Sequence, residues 1–476
     1  MNTKIKFGTN EEKYYPEYME LVREFYPSVI DCEDGDEIFL ELLFDGEQLK
    51  VIIKTKLLPE NYYEINQKID ISSNNLAKIA QIKRISKVAL YDVLKTVTNA
   101  SLPYGSLTGI RPTKLFHDLK DKGLDAAKVF EEDFRVSKSK TALVAEIVEN
   151  QSSVYLKKDK VADVFVNIPI CPTRCVYCSF ISAELSKVRK QVPLYCELLR
   201  KELEDCKRLV DETGYEIRSV YVGGGTPTSI PDEDFRSVLS LLDFGQVEFT
   251  VEAGRPDTIT ENKLKIMDET GVTRISVNPQ SFNQSTLDLI GRRHTVDDIY
   301  RAYNAARKYK FDVNTDLIAM LPGEDFDAFR HSVDCAVALS PENLTVHTLA
   351  LKKGSVLKVD GYDNASDEEA ARMVDYAREA AAKAGYCPYY MYRQKYVSGN
   401  LENVGYSTPG KYCIYNVDIM EETTTIIANG AGGISKKLDI ASNALERCAN
   451  PKGLDVYLAR GEAVSEKKRK FFLGED

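Results

Sequence analysis

A chain of 476 residues is too long for one ordinary hydrophobic core, so two or three domains are expected. Its 43% hydrophobic and 29% charged residues are those of a soluble globular protein, and a net charge of −10 argues against general affinity for nucleic acid. No apolar run approaches the ~20 residues of a membrane span and no apolar signal region opens the sequence, so a cytoplasmic chain without a membrane span is expected, its ten cysteines mostly buried thiols.

In chain order, the first 155 residues read as a small α+β domain. Ile38–Phe44 and Gln48–Lys54 flank Asp45-Gly46, a hairpin signal. Leu76 to about Val97 carries apolar residues at helical spacing, with Ser72, Ser73 and Asn74 as candidate caps. A turn-rich loop, Leu102–Pro112, follows, and helical patterns resume to about Asn150. From Val161 the pattern alternates. Strands are expected at Asp163–Ile168, Arg218–Val222, Val247–Glu252, Arg274–Val277, Asp312–Ile318 and Asn343–Leu349. Helices are expected between them at Val192–Leu209, Asp232–Leu242, Glu261–Glu269, Val296–Lys310 and Phe326–Leu339. Six such units in series predict a parallel sheet with right-handed crossovers, as a partial or full α/β barrel with its site at the carboxyl ends of the strands. After about Asp360 come a helix (Asp367–Ala384), the aromatic run Pro388–Gln394, a Gly-rich segment Asn429–Gly433 and a basic tail, Ser465–Lys470, expected as an exposed helix.

The chemistry concentrates after the expected strand ends. Cys171, Cys175 and Cys178 stand at C-x3-C-x2-C spacing, followed by Ser179 and Phe180 rather than a fourth thiol. Three soft thiolates so placed can hold three corners of an iron–sulfur cluster and leave one iron open. A zinc site or three unrelated thiols are the plainer alternatives, but structural zinc sites pair C-x2-C with a second ligand pair that is not found here. Tyr177 and Phe180 would shield such a cluster. One strand later, Gly223-Gly224-Gly225-Thr226-Pro227 lets a ligand approach the backbone and offers amides and carbonyls to grip it. Glu252 ends a strand and is either a ligand-facing or a solvated carboxylate. Asp316 lies within the apolar strand end Val313–Ile318, where a charge needs a partner. Arg292 suits a carboxylate or a structural ion pair. His117, His294, His331 and His347 are isolated in sequence, and Tyr389, Tyr390 and Tyr392 fit either a macrocycle pocket or core packing.

Together these motifs resemble the radical S-adenosylmethionine (SAM) enzymes, and within them the oxygen-independent coproporphyrinogen III oxidase (dehydrogenase) family. The carriers are the cysteine run, the Gly-Gly-Gly-Thr-Pro motif, Glu252, Arg274-Ile275-Ser276 with Gln280-Ser281-Phe282, Gly291-Arg292-Arg293-His294-Thr295 and Asp316-Leu317-Ile318 with Leu321-Pro322-Gly323. Leu107–Pro112 and Tyr392–Tyr406 are similar to a HemZ-like subgroup with an N-terminal extension. The resemblance implies a partial (β/α)6-type radical SAM barrel over 156–360, an N-terminal α+β domain over 1–155 and a C-terminal extension over 361–476. It implies a [4Fe-4S] cluster on Cys171, Cys175 and Cys178, with SAM chelating the open iron. Phe165, Tyr177, Gly224, Gly225, Thr226, Glu252, Gln280, Arg292, Asp316 and Ala350 match the family's cofactor-binding positions, some of them for a second SAM.

The implied reaction takes coproporphyrinogen III to protoporphyrinogen IX. A 5′-deoxyadenosyl radical removes hydrogen from each of two propionates, which lose carbon dioxide and become vinyl groups. A one-electron donor such as flavodoxin or ferredoxin feeds the cluster, and Arg292, Lys352, Lys353 and Arg393 are candidates to clamp the remaining carboxylates. A heme-binding carrier without oxidase activity is the alternative, because such proteins share the core. Two departures stand out: the family's Tyr-x-His before the cysteine run reads Phe165-Val166-Asn167, and Phe180 stands where the best characterised oxidases carry a further cysteine.

Overall fold

The computed structural model describes residues 4–26, 29–70, 75–180, 183–352, 354–359, 367–394 and 397–475. The chain forms two compact units, Met1–Val148 with Arg393–Leu401, and Glu149–Tyr392 with Glu402–Asp476.

The first unit is built on a five-stranded sheet. Lys4–Thr9 (β1) pairs in parallel with Ile30–Asp31 (β2) and with Asp36–Asp45 (β3). Gln48–Thr55 (β4) and Tyr62–Lys68 (β5) continue it antiparallel. The β3–β4 hairpin turns where expected, with Gly46 in the left-handed region (φ +56°). Helices Tyr15–Phe25 and Asn75–Thr98 lay Leu21, Val22, Leu90 and Leu94 against Ile38, Leu40, Val51 and Ile53 of the sheet. The candidate caps Ser72, Ser73 and Asn74 lie outside the described residues. Arg393, expected as a carboxylate clamp, belongs to this unit. It is 5% exposed, lies over the Tyr104 ring at 4.3 Å, and donates to the Leu107 carbonyl. Its charge is spent on Glu24, 3.7 Å away, so it is a tie within its own unit.

The second unit carries the barrel. Its parallel strands are Val161–Ile168 (β6), Glu216–Gly224 (β9), Glu248–Gly254 (β10), Arg274–Val277 (β11), Asp312–Ala319 (β12) and Asn343–Thr348 (β13). The short pair Ile170–Cys171 (β7) and Ala183–Glu184 (β8) brackets the cysteine loop. The C-terminal stretch adds Cys387–Arg393 (β14), Glu402–Ser407 (β15), Thr425–Asn429 (β16), Ile434–Asp439 (β17) and Ala444–Ala449 (β18) to the same sheet. The order is β14-β15-β13-β12-β11-β10-β9-β6-β16-β17-β18. All six expected strands form, giving a partial (β/α)6 barrel, and a seventh parallel strand, β16, docks on β6. The C-terminal segment thus continues the barrel sheet.

Strand alternation sorts the side chains. Val164, Val166, Val220, Val222, Val251, Ile275 and Val313 face the helices and share a core with Leu199, Leu203, Phe235, Leu264 and Tyr303. Helices Val192–Thr213, Asp232–Ser240, Glu261–Glu269, Val296–Ala306 and Phe326–Leu339 follow the expectation closely. Their ends are chemically marked: Thr260 and Asp325 cap two starts, Thr295 and Asp298 form a capping box, and Gly214 ends the first in a left-handed conformation. The intervening strand residues, among them Asp163, Phe165, Asn167, Tyr221, Glu252, Arg274, Asp316 and His347, take the opposite, concave face.

The basic tail forms a helix, Ala463–Leu473, but is not exposed along its length. Lys468 is 3% exposed and ion-pairs with the equally buried Glu202, which also accepts from Tyr457 and Asn450. Tyr389 and Tyr390 pack in a buried aromatic cluster with Tyr415, so packing rather than a macrocycle pocket accounts for them.

Candidate active site

The cysteine loop sits at the carboxyl end of β6, held from three sides. Thr226 donates its amide to Ile170 O (2.8 Å) and its hydroxyl to Cys171 Sγ (3.7 Å). Val176 donates its amide to Ile290 O (3.2 Å), and Thr173 its hydroxyl to Gly291 O (3.2 Å). Leu357 donates its amide to Val176 O (3.2 Å). Burial pushes the Cys178 thiol up, and the nearby Cys175 and Cys171 push it the same way. No disulfide joins any of the cysteines. Phe180 is 68% exposed, so it turns away from the thiols instead of shielding them.

The glycine motif is shaped by that loop. A Cβ on Gly225 would lie 2.7 Å from Ile170 O and 3.0 Å from Cys171 Sγ. Gly224 has φ +109°, and a Cβ there would meet Asn167 Oδ1 at 2.1 Å. The amides expected to be free for a ligand are engaged inside the protein: Gly225 N donates to Ile168 O (2.9 Å) and Gly224 N to Glu252 Oε2 (3.2 Å). The motif therefore offers a close-approach surface more than a row of donors. Asn167, where the family has histidine, donates to the Ala431 carbonyl and so knits the Gly-rich segment to this corner.

Along the concave face, Glu252 Oε1 accepts from the Tyr221 hydroxyl at 2.6 Å. Burial pushes its carboxyl up, against the Tyr221 bond and with help from Asp316. Asp316 Oδ1 accepts from Asn314 Nδ2 (2.8 Å), and Oδ2 lies 3.7 Å from His347 Nε2, whose Nδ1 is 3.0 Å from the Tyr392 hydroxyl. His347, isolated in sequence, thus joins the site. Gln280 has φ +69° and is held by backbone bonds to Asp316 and Ile318, while its buried Oε1 meets no partner among the described residues. Gln280 thus combines a left-handed backbone with a buried acceptor that the described residues leave unused. Arg292 is 6% exposed and donates to the Asn278 carbonyl. Burial opposes its charge, but Tyr177 and Cys175 beside it raise its proton affinity overall. Phe165 stacks on Tyr415 (5.9 Å, 16°) deeper in the barrel. Ala350 lies just past β13, and its carbonyl accepts from the Lys352 amide (3.1 Å). Lys352 is partly buried, which pushes its amine down, with Cys178 nearby acting the other way. Lys353 lies outside the described residues.

One constellation is marked by no motif in the sequence. Arg255, 3% exposed, forks onto Asp257 with two 2.9 Å bonds and donates to Thr173 Oγ1 at 3.0 Å. His294 Nδ1 stands 3.7 Å from Asp257, beyond a hydrogen bond. Although burial acts against it, the Arg255 fork holds the Asp257 carboxyl well below the usual carboxylate range. The only sequence signal was a charged residue directly after the strand carrying Glu252.

The residues fit a three-cysteine cluster with a small ligand beside it: three thiols on one loop, two concave carboxylates and buried orphan acceptors at Gln280 and Asn278. Among the described residues no three His, Cys, Asp or Glu side chains converge on a single metal ion, and a four-iron cluster, with each thiolate on its own iron, does not require that.

Residues 167–336 match the radical SAM superfamily. The oxygen-independent coproporphyrinogen-III oxidase-like protein HemZ of Bacillus subtilis is 39% identical, over 82% of this chain and 81% of its own. The heme chaperone HemW of B. subtilis is 30% identical over 40% of this chain and 51% of its own. The structure of the Escherichia coli coproporphyrinogen III oxidase HemN superposes with a TM-score of 0.52 at 19% identity, covering 67% of this chain and 72% of that one, a likeness of fold. The chain belongs to the radical SAM oxygen-independent coproporphyrinogen III oxidase family, in its HemZ-like subgroup, and its cofactors are a [4Fe-4S] cluster and SAM.

Proposed function

We propose that this protein converts coproporphyrinogen III to protoporphyrinogen IX without oxygen. The observation that carries the reading is the three-thiol loop set over a concave face bearing Glu252 and Asp316, in a chain alike to an oxidase-like relative over most of both lengths. When bound, the cluster and SAM supply a 5′-deoxyadenosyl radical able to take a hydrogen atom from the unactivated β-carbon of a propionate, which no acid–base side chain could do. Each propionate loses one hydrogen atom to that radical, one carbon dioxide, and one electron to a one-electron acceptor, and leaves a vinyl group.

In this reading Cys171, Cys175 and Cys178 each ligate one iron. Gly224, Gly225 and Thr226 supply the surface against which SAM lies. Glu252 and Asp316 would accept hydrogen bonds from it, and Gln280 would offer Oε1 to a donor. Tyr177, Phe165, Arg292 and Ala350 complete the wall. The site's work is to hold the propionate beside the radical and keep water out. A flavodoxin- or ferredoxin-type donor in the cytoplasm would supply the electron. No helix among the described residues is long and apolar enough to cross a membrane.

Anaerobic incubation with reductant, SAM and coproporphyrinogen III is expected to release carbon dioxide and deoxyadenosine together. Deoxyadenosine without carbon dioxide would remove the substrate from this reading while keeping the radical chemistry. The similarity to a heme chaperone favours a second reading, a heme carrier. Against it, Asn167 is spent on the Ala431 carbonyl. A stoichiometric Soret shift with heme, and no decarboxylation, would decide for the carrier.

A further inference from the structure

We propose that Arg255 sets the reduction potential of the cluster, acting on the sulfur of Cys175. This rests on the reading that Cys171, Cys175 and Cys178 hold that cluster.

Arg255 is almost wholly buried beneath the cysteine loop. Asp257 occupies Nε and Nη2, and this fork fixes the plane of the guanidinium. The free edge, Nη1, donates to Thr173 Oγ1 and points at Cys175 Sγ from 4.0 Å. Cys175 is the most buried of the three loop thiols. None of the hydrogen bonds of Arg255 reaches Glu252, Asp316 or Gln280, so its contacts serve the loop and not the concave face.

A staple for the loop would be one use of these bonds, but a staple needs no charge directed at sulfur. Hydrogen bonds to cluster sulfurs and nearby positive charge raise a reduction potential, because the reduced form carries one more negative charge. The guanidinium is 3% exposed and Asp257 is its carboxylate partner; Arg292, also beside Cys175, is a second cation that substitutions at Arg255 and Asp257 leave in place. Arg255 meets a change in which one electron arrives from a flavodoxin- or ferredoxin-type donor. No bond forms or breaks at the guanidinium and no proton leaves it. Arg255 and Asp257 should therefore act on the potential with opposite signs.

The experiment is an EPR-monitored redox titration of the anaerobically reconstituted full chain, without SAM, at matched iron and sulfide content. Arg255→Gln is expected to make the cluster about tenfold harder to reduce, which for one electron is about 59 mV. Asp257→Asn, which leaves the cation and removes its counter-charge, is expected to make it easier to reduce. Arg255→Lys is expected to stay within about tenfold of the unaltered protein. A merely structural pair would shift both potentials the same way or not at all, and either result overturns the proposal. If Arg255→Gln takes up no cluster, Arg255→Lys and Asp257→Asn decide: a lysine potential beyond the tenfold window, or no rise in the asparagine variant, overturns it. Unaltered protein that takes up no iron and sulfide would overturn the cluster reading itself, whereas a full cluster with unmoved potentials overturns only the role of Arg255.

Discussion

The floor and the mouth of the barrel are both polar and both buried, but they handle charge differently. At the floor, Arg274 lies 3.5 Å from both Glu248 and Asp312, bonds Asn343, and donates to the Lys411 carbonyl. Asp163 accepts from Ser219 and Thr424, and Asp418 faces Arg218 at 3.2 Å. At the mouth, Glu252 and Asp316 have no Lys or Arg ion partner among the described residues, and Gln280 leaves an acceptor unused. Burying an acid without a cation costs free energy that the fold does not recover. Arg274 and Arg218 supply cations at the floor, where Asp163 alone has only hydroxyl partners, whereas neither acid of the mouth meets Lys or Arg among the described residues, which suits it to a cationic ligand such as a sulfonium with an amino group.

That contrast can be broken experimentally. Replacing Cys171, Cys175 and Cys178 together with Ala is expected to abolish the cluster chromophore and all SAM cleavage; residual cleavage would dismiss the mouth as the reactive end. Arg274→Met should destabilise the fold by about 3–5 kcal/mol in urea unfolding, because Glu248 loses its cation and Asp312 keeps only Lys411. An unchanged midpoint would mean that the floor is not held by charge. Glu252→Gln and Asp316→Asn are expected to weaken SAM binding about 10–100-fold by calorimetry with little change in melting temperature. A large fall in melting temperature with unchanged binding would reverse the assignment.

The smallest effect concerns pH. Burial pushes Asp418 up to about 8 and Asp163 up to about 6, and Asp163 adds to the shift at Asp418. Above the ordinary carboxylate range these two groups keep protons in the native state that the unfolded chain has lost, so the stability they contribute falls as pH rises toward 8 and levels off beyond it. Asp418→Asn should remove about 1–2 kcal/mol of that fall, seen as flatter urea midpoints between pH 6 and pH 8. An unchanged slope would show that Asp418 is ionised throughout.

The barrel was legible because its strands alternate: valines and isoleucines mark the helix-facing positions and polar residues the concave ones. The thiols, Glu252 and Asp316 were legible because soft or charged residues at apolar strand ends are costly. Strand β16 was not. Thr425–Asn429 is buried on both sides, so period-two alternation disappears, and its partner lies more than 250 residues earlier. Lys468 was misplaced because a basic run reads as solvated, and only the fold supplies Glu202. Arg255 is not legible in the sequence because a charge after a strand looks like a turn; its contact with Cys175 spans 80 residues.

Strand β6 carries the cysteine loop, and β16 forms one of its two borders. During synthesis that border is missing until residue 429 has left the ribosome. A chain stopped before Thr425 would leave β6, and the cysteine loop at its carboxyl end, on an open sheet edge.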